Sequence, residues 1–242
     1  IKELTDLKAN LHIVVAFRML PKLVWEMPKY GTFNLHASLL PNYRGAAPIN
    51  WAIINGETKT GASTFFIDEK IDTGEMILQK EVPIDKNENA GSLHDKLMSL
   101  GSELVLKTVS LISEGPVKTK PQPKGTDLKT AYKLNKENCK IDWSTKLESI
   151  YNKIRGLSPY PAAWCILKNN DESLDIKIYA ADKEIAEHDL EAGKVITSKK
   201  EIKVAVKEGY IIIKEIKLPG KRKMDAISLL NGYNFDEKAK ML

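Results

Sequence analysis

"GTFNLHASLLPNYRGAAPINWAIING", residues 31–56, decides how the rest of this chain is read. Gly31 marks a bend into a short apolar run, 32–36, that reads as a buried strand with His36 at its carboxyl end. Pro48 suits the first turn of a helix, where its missing N–H costs nothing, and "INWAIING" continues that helix until Gly56 stops it. Between strand and helix lies a loop crowded with an amide, an imidazole, hydroxyls and an arginine. In open parallel sheets ligands bind in the crevice beyond the carboxyl ends of the strands, so residues 34–45 occupy the position expected of a site.

Upstream, "LHIVVAF" at 11–17 is a nearly continuous, valine-rich run, the pattern of a parallel strand buried on both faces, and 22–27 reads as a short helical turn. Downstream, "GASTFFI" at 61–67 and "MILQKEVPI" at 76–84 predict a hairpin joined by "DEKIDTGE". Leu93, Leu97, Leu100, Leu104, Leu111 and Ile112 recur at helical spacing, predicting an amphipathic helix over 90–114, capped by Asn89 and closed by Gly115 and Pro116.

Next, "KTKPQPKGTD" at 118–127 combines prolines, glycine and charge without periodicity, which argues for an exposed linker and a domain boundary near Gly125. Beyond it, Ser144 is placed to cap a helix that ends at Gly156. The β-prone runs 163–167, 174–180, 193–197, 202–206 and 210–217 then suggest a small closed barrel. The expected division is a catalytic α/β domain over 1–115, a linker over 116–126 and a barrel over 127–242.

Hydrophobic residues make up 43% and charged residues 29%, a globular composition, and no apolar run approaches the ~20 residues needed to cross a bilayer. Cys139 and Cys165 form no CxxC motif and the four histidines no HxxxH pair, so a metal site is not expected and the thiols read as reduced and packed, as in a cytoplasmic protein. Residues 1–125 carry 15 basic and 14 acidic groups, and 126–242 carry 22 and 18, so the basic excess sits in the second half.

Asn34 and His36, two apart on a strand, point to one face. A histidine there suits acid–base work but needs a partner to orient it. The candidate is Asp72 in "KIDTGEM", where Gly74 permits an unusual backbone path. A carboxylate beside His36 would raise the fraction of imidazolium, and an amide with an imidazolium aimed at one oxygen makes an oxyanion hole for attack on a carbonyl. The same residues admit a plainer reading: Asn-x-His pairs also serve as satisfied structural pairs, and Asp before Gly is an ordinary turn. Ser38 lies in no nucleophile-elbow pattern, so a serine triad is not supported.

"FNLHASLLPNYRGAAPINWAIINGE" followed by "IDTGEMI" resembles the methionyl-tRNA formyltransferase family, within the folate-dependent formyltransferases that share the Asn, the His and the Asp. The likeness continues through "VVAFRMLP" at 14–21, "GSLHDKLMSLGSELVL", "IDWS", "IRGLSPYPAAW", "LPGKRKM" and "LLNGY", nearly the whole chain.

The resemblance implies a Rossmann-like formyltransferase domain followed by an OB-like barrel that grips tRNA. It implies transfer of the formyl group of 10-formyltetrahydrofolate to the α-amine of initiator methionyl-tRNA by direct amine attack. Asn34 and His36 would stabilise the tetrahedral intermediate, and Asp72 would keep His36 charged and help move the proton. Ser38, Leu39, Leu40 and Pro41 would line the folate site, with the backbone of 17–20 near the pterin. Lys153, Arg155, Lys221, Arg222 and Lys223 are candidates to meet tRNA phosphates, which a basic barrel binds without reading bases.

No metal, DNA or membrane is implied, and a monomer is expected. The resemblance also implies further β and α units ahead of "VVAFRMLP", so the chain is expected to begin inside a domain and, taken alone, to be inactive or poorly stable, with an unpaired edge at 11–17. Among rival readings, a glycinamide ribonucleotide formyltransferase would lack the basic second domain. Amino-sugar formyltransferases, formyl-folate hydrolases and a non-catalytic tRNA-binding fragment share more of this layout.

Overall fold

A computed structural model describes residues 1–16 and 19–242. In chain order the first part runs α1 (Lys2–Asp6), β1 (His12–Val15), α2 (Lys22–Trp25), β2 (Thr32–His36), β3 (Arg44–Gly45), α3 (Pro48–Ile54), β4 (Lys59–Phe66), β5 (Met76–Pro83), α4 (Ala90–Glu114) and β6 (Thr130–Ala131). The second part adds α5 (Leu147–Leu157), β7 (Ala163–Asn169), β8 (Glu172–Ile185), β9 (Val195–Thr197), β10 (Ile202–Val206), β11 (Gly209–Lys217), β12 (Met224–Asp225), α6 (Ala226–Leu230) and β13 (Lys240–Met241). The chain divides into two compact units, Ile1–Ala52 with Thr58–Asp85 and Ser92–Lys133, and Ile53–Glu57 with Lys86–Gly91 and Leu134–Leu242. Among the described residues no helix is long and apolar enough to cross a membrane.

The first unit is built on a sheet of order β1-β2-β4-β5. β1 runs parallel to β2, whereas β2–β4 and β4–β5 are antiparallel, so the sheet is mixed and the expected 61–84 hairpin is its second half. Alternation along β2 sends its residues to opposite faces. Leu35 meets α4 where Gly101 leaves room: a Cβ on Gly101 would lie 2.8 Å from Leu35 Cδ2. The Thr64 and Thr108 hydroxyls, 2.8 Å apart, tie β4 to the same helix, whose Leu93, Leu97, Leu100 and Leu104 are buried. Asn34 and His36 are left on the face away from that contact.

Two expectations change here. β1 has the unpaired edge expected of it but is not buried on both faces: Ile13 is 46% and Val15 56% exposed, because within the described sheet β1 has β2 as its single neighbour. The 116–126 segment is mostly exposed, as expected, but it is tied to the first unit rather than free of it. Lys120 pairs with Met76 through both backbone groups, Gln122 is buried, and β6 pairs with β3, which carries the first unit on to Lys133, past Gly125.

The second unit is a nearly closed, barrel-shaped sheet of order β13-β7-β8-β11-β10-β9, with β12 on β11. A bridge between Lys194 and Lys240 brings its two ends together. Alternation fills the interior: Ala163, Cys165 and Leu167 of β7 face Ile176 and Ile178 of β8, with Val204, Ile211 and Ile213 in the same core. α5 lays Leu147, Ile150, Ile154 and Leu157 over it. That helix begins at Leu147, later than expected, because Ser144 is spent on a turn: its N–H and hydroxyl donate to Asp142 at 3.0 and 2.6 Å. It passes through Gly156 and stops after Leu157, before the proline-bearing 158–161 segment.

Cys139 and Cys165 are unpaired and buried, and burial pushes the Cys165 thiol up to about 12. An unfolded thiol ionises near ~8.5. Between those values the unfolded chain binds fewer protons than the native one, so the thiol's contribution to stability is lost as pH rises, by up to about 1.4 kcal/mol per pH unit. Denaturant unfolding at pH about 8.5 and about 10.5 should show a steeper loss of stability for the wild type than for Cys165→Ala; equal slopes would contradict the burial argument.

Candidate active site

His36 ends β2 in a buried position. Its Nε2 lies 2.7 Å from the carbonyl oxygen of Tyr43, whose backbone is turned left-handed at φ 61. A carbonyl only accepts, so this nitrogen carries the proton and the opposite one, Nδ1, is presented to Asp72. Nδ1 and Asp72 Oδ2 are 3.7 Å apart, within ion-pair reach and beyond a hydrogen bond. The same oxygen accepts the Gly45 N–H at 2.9 Å. Asp72 holds a left-handed backbone, φ 55, a conformation aspartate tolerates better than most residues.

Asn34 completes the group, and with His36 and Asp72 it lines a cleft of about 1310 Å³. Its Oδ1 is buried with no hydrogen-bond partner among the described residues. Leaving a buried acceptor unsatisfied costs about 1–3 kcal/mol, so this oxygen lacks a partner that the described residues do not supply. The remaining wall is mostly apolar, including Val14, Leu35, Ala46, Pro48, Phe65 and Leu97. Met19 and Leu20 also line it, while Phe17 lies outside the described residues.

The four residues expected to line a folate site lie on the loop beside this cleft. Ser38 and Leu40 are buried, Leu39 and Pro41 are half-buried, and none of them belongs to this cleft wall, which passes from Ala37 to Gly45. Their loop is pinned from behind. The Ser38 hydroxyl donates to the Asn42 carbonyl at 2.7 Å, the Ser63 hydroxyl to the Ser38 carbonyl at 2.7 Å, and Gln79 to the Leu40 carbonyl at 3.0 Å. Their observed contribution is to fix the loop that carries Tyr43 to His36.

The basic candidates separate into three kinds. Lys153 donates to the Lys140 carbonyl at 2.8 Å, and Arg155 donates to Asn152 and to the Glu88 carbonyl, each at 2.8 Å. Burial lowers the pKa of both, so each has internal work in the second unit. Lys223 pairs with Glu215 at 2.7 Å and lies over the Tyr179 ring. Lys221 and Arg222 stand exposed on the turn after Gly220.

Residues 1–109 match the formyl transferase family, and residues 133–234 match the formyl transferase C-terminal domain. A methionyl-tRNA formyltransferase of Flavobacterium johnsoniae is 64% identical over 239 residues, covering 99% of this chain and 76% of its own. One from Bacteroides fragilis is 50% identical over 246 residues, covering 100% and 76%.

The chain belongs to the methionyl-tRNA formyltransferase family.

Solved structures agree in fold. HypX from Aquifex aeolicus in complex with tetrahydrofolic acid superposes with a TM-score of 0.69 at 20% identity, covering 94% of this chain and 40% of that one. An N-formyltransferase from Helicobacter canadensis, in complex with folinic acid and dTDP-3-aminofucose, gives 0.64 at 24% identity, covering 83% and 71%. At these identities the likeness speaks for the fold alone. The family's transferase character and its two-part architecture follow for this chain.

Sequence reading missed the residues that hold Asp72 in place: Gly45, through its N–H, and Gln122, which donates to the carbonyls of Asp72 and Gly74. Gly74 itself was found for a different reason. Its role is close approach, since a Cβ there would lie 1.7 Å from the Phe66 carbonyl oxygen. Gly74→Ala must therefore displace the 72–74 turn and should cost about 1–3 kcal/mol with a clear fall in activity, read by denaturant unfolding and turnover. A variant of native stability and rate would show that the turn has slack.

Proposed function

We propose that this chain carries the site that transfers the formyl group of 10-formyltetrahydrofolate to the α-amine of methionine esterified to initiator tRNA, as the names of its relatives suggest. The observation that supports it most is the meeting of Asn34, His36 and Asp72 in one cleft. The residues fit a folate: the cleft is roomy and mainly apolar, with a few convergent polar groups, as small-molecule sites are. No metal ligand set is needed.

10-Formyltetrahydrofolate supplies an activated formyl group, and the amine is the nucleophile. As the amine adds to the formyl carbon, the formyl oxygen gains negative charge. The Asn34 amide N–H and, in the imidazolium form that carries a proton on both nitrogens, the His36 Nδ1–H would donate to that oxygen. The 3.7 Å gap between Nδ1 and Asp72 leaves Nδ1 uncommitted to the carboxylate and open to a substrate atom. Asp72 would accept the proton that the amine loses; as the adduct collapses, the bond between the formyl carbon and N10 would break and N10 would take up that proton as tetrahydrofolate leaves, while Tyr43 would keep the imidazole from rotating by holding Nε2. Preorganised donors of this kind cost no reorganisation during the reaction.

In the intact protein, Asn34→Ala and His36→Ala should each lower kcat by about 10²–10³-fold while tRNA affinity stays within a small factor. Near-normal turnover by His36→Ala would remove the basis of this reading.

Lys221 and Arg222 are proposed as phosphate contacts of the barrel. Replacing both by alanine should weaken tRNA binding and flatten its dependence on salt by about one unit of log–log slope per lost contact, leaving kcat at saturating tRNA unchanged. An unaltered slope would place the RNA elsewhere.

A further inference from the structure

We propose that Gln122 is a positioning residue for Asp72, an inference that rests on the formyl-transfer reading above. Its carboxamide is buried, at 9% exposure, and uses every hydrogen-bonding position it has. Oε1 accepts from Arg44 twice, from Nε at 3.1 Å and from one terminal nitrogen at 2.6 Å. Nε2 donates to the Asp72 carbonyl at 2.9 Å and to the Gly74 carbonyl at 2.8 Å. These partners fix the amide's orientation, since the rotated amide would set N–H groups against a guanidinium and an oxygen against two carbonyls.

Both arms of this clamp lead to the same carboxylate. One arm holds the backbone on either side of Thr73, and so the left-handed bend that aims the Asp72 side chain. The other holds Arg44, whose chain neighbour Gly45 donates its N–H to Asp72 Oδ2. Gly45 is further confined by strand pairing of β3 with β6, and a Cβ there would lie 2.4 Å from the Ala131 carbonyl oxygen. Gln122 therefore sets the distance between the peptide that bears the carboxylate and the peptide that fixes its oxygen.

Gln122 does not line the large cleft, so it reaches the chemistry through Asp72. A displacement of about 1 Å in a reacting group can cost about 10²-fold in rate, which makes such a clamp consequential. The residue lies in the stretch whose composition reads as a linker, and nothing in its sequence neighbourhood signals a role in the site.

The test compares the intact wild type with Gln122→Met, Gln122→Glu, Asp72→Asn and the double variant Gln122→Met/Asp72→Asn. Methionine keeps the volume and removes all four hydrogen bonds. Glutamate keeps an acceptor for Arg44 but sets an oxygen against the two carbonyls, so it should fail to rescue. Both Gln122 variants should lower kcat by about 10–100-fold with the KM for the folate changed by less than about threefold.

On the Asp72→Asn background Gln122→Met should add less than about threefold, because groups acting as one unit do not add. The Gly45 amide proton resonance should move upfield in both Gln122 variants as its hydrogen bond to Asp72 weakens. Full activity in either Gln122 variant, losses that multiply with Asp72→Asn, or an unmoved Gly45 resonance would overturn the proposal. An active Asp72→Asn protein would instead overturn the formyl-transfer reading, and the Gly45 resonance would still decide whether Gln122 sets the position of residue 72.

Discussion

The Gly45 N–H bound to the Asp72 carboxylate is the contact around which this site is organised. It joins two loops that leave the sheet at different places, one after β2 and one between β4 and β5. Each loop must take a costly backbone path to make it. Tyr43 and Asp72 sit in the left-handed region, Gly45 has no room for a Cβ, and Gly74 has none either. Such strain persists where surrounding structure over-determines it, and here hydrogen bonds from Ser63, Gln79 and Gln122 do so. The imidazole of His36 lies in the angle between the two loops, held at one nitrogen by Tyr43 and faced at the other by Asp72.

This arrangement explains why a mixed sheet serves as well as a parallel one. His36 is paired with Ser63 in the antiparallel β2–β4 register, so the strand that ends at the imidazole lies beside one whose serine pins the 38–42 loop. The crevice beyond β2 is thus shaped from behind by an antiparallel neighbour. The large cleft opens from the same strand end, and its lining also takes in Leu97 and Met98 of α4. The proposed chemistry sits at the carboxyl end of β2 and on the loops around it, while the sheet and helix supply rigidity, the division expected where function is grafted on a scaffold.

Much of this was legible in the chain. Helical leucine spacing gave α4 its bounds, alternation gave the barrel strands, and two-residue spacing put Asn34 and His36 on one face. What escaped has a common physical cause. The burial of Gln122 depends on Arg44 and Gly74, distant in sequence, and its setting of prolines and charge carries the signature of a solvated segment. Gly45 acts through a backbone N–H, a group every non-proline residue has. Ser38 through Pro41 matched a family motif, and a motif does not say which of its side chains face a ligand and which hold the loop.

The charge of the second unit shows the same gap between composition and surface. Its excess of lysine suggests a basic face, yet many of these lysines are already paired: Lys136 with Asp175, Lys183 with Glu148, Lys203 with Glu184, Lys214 with Asp182, and Lys240 with Glu191. Exposed pairs of this kind are worth about 0–1 kcal/mol, because solvent screens them and the side chains lose freedom in forming them. A phosphate, with several acceptor oxygens, can therefore take a lysine from its carboxylate at small cost. The released carboxylate would then repel the same phosphate, which limits the gain. Among the described residues Lys221 and Arg222 form no such ion pair and escape that penalty, so on this argument they count for more toward a polyanion than the paired lysines that outnumber them.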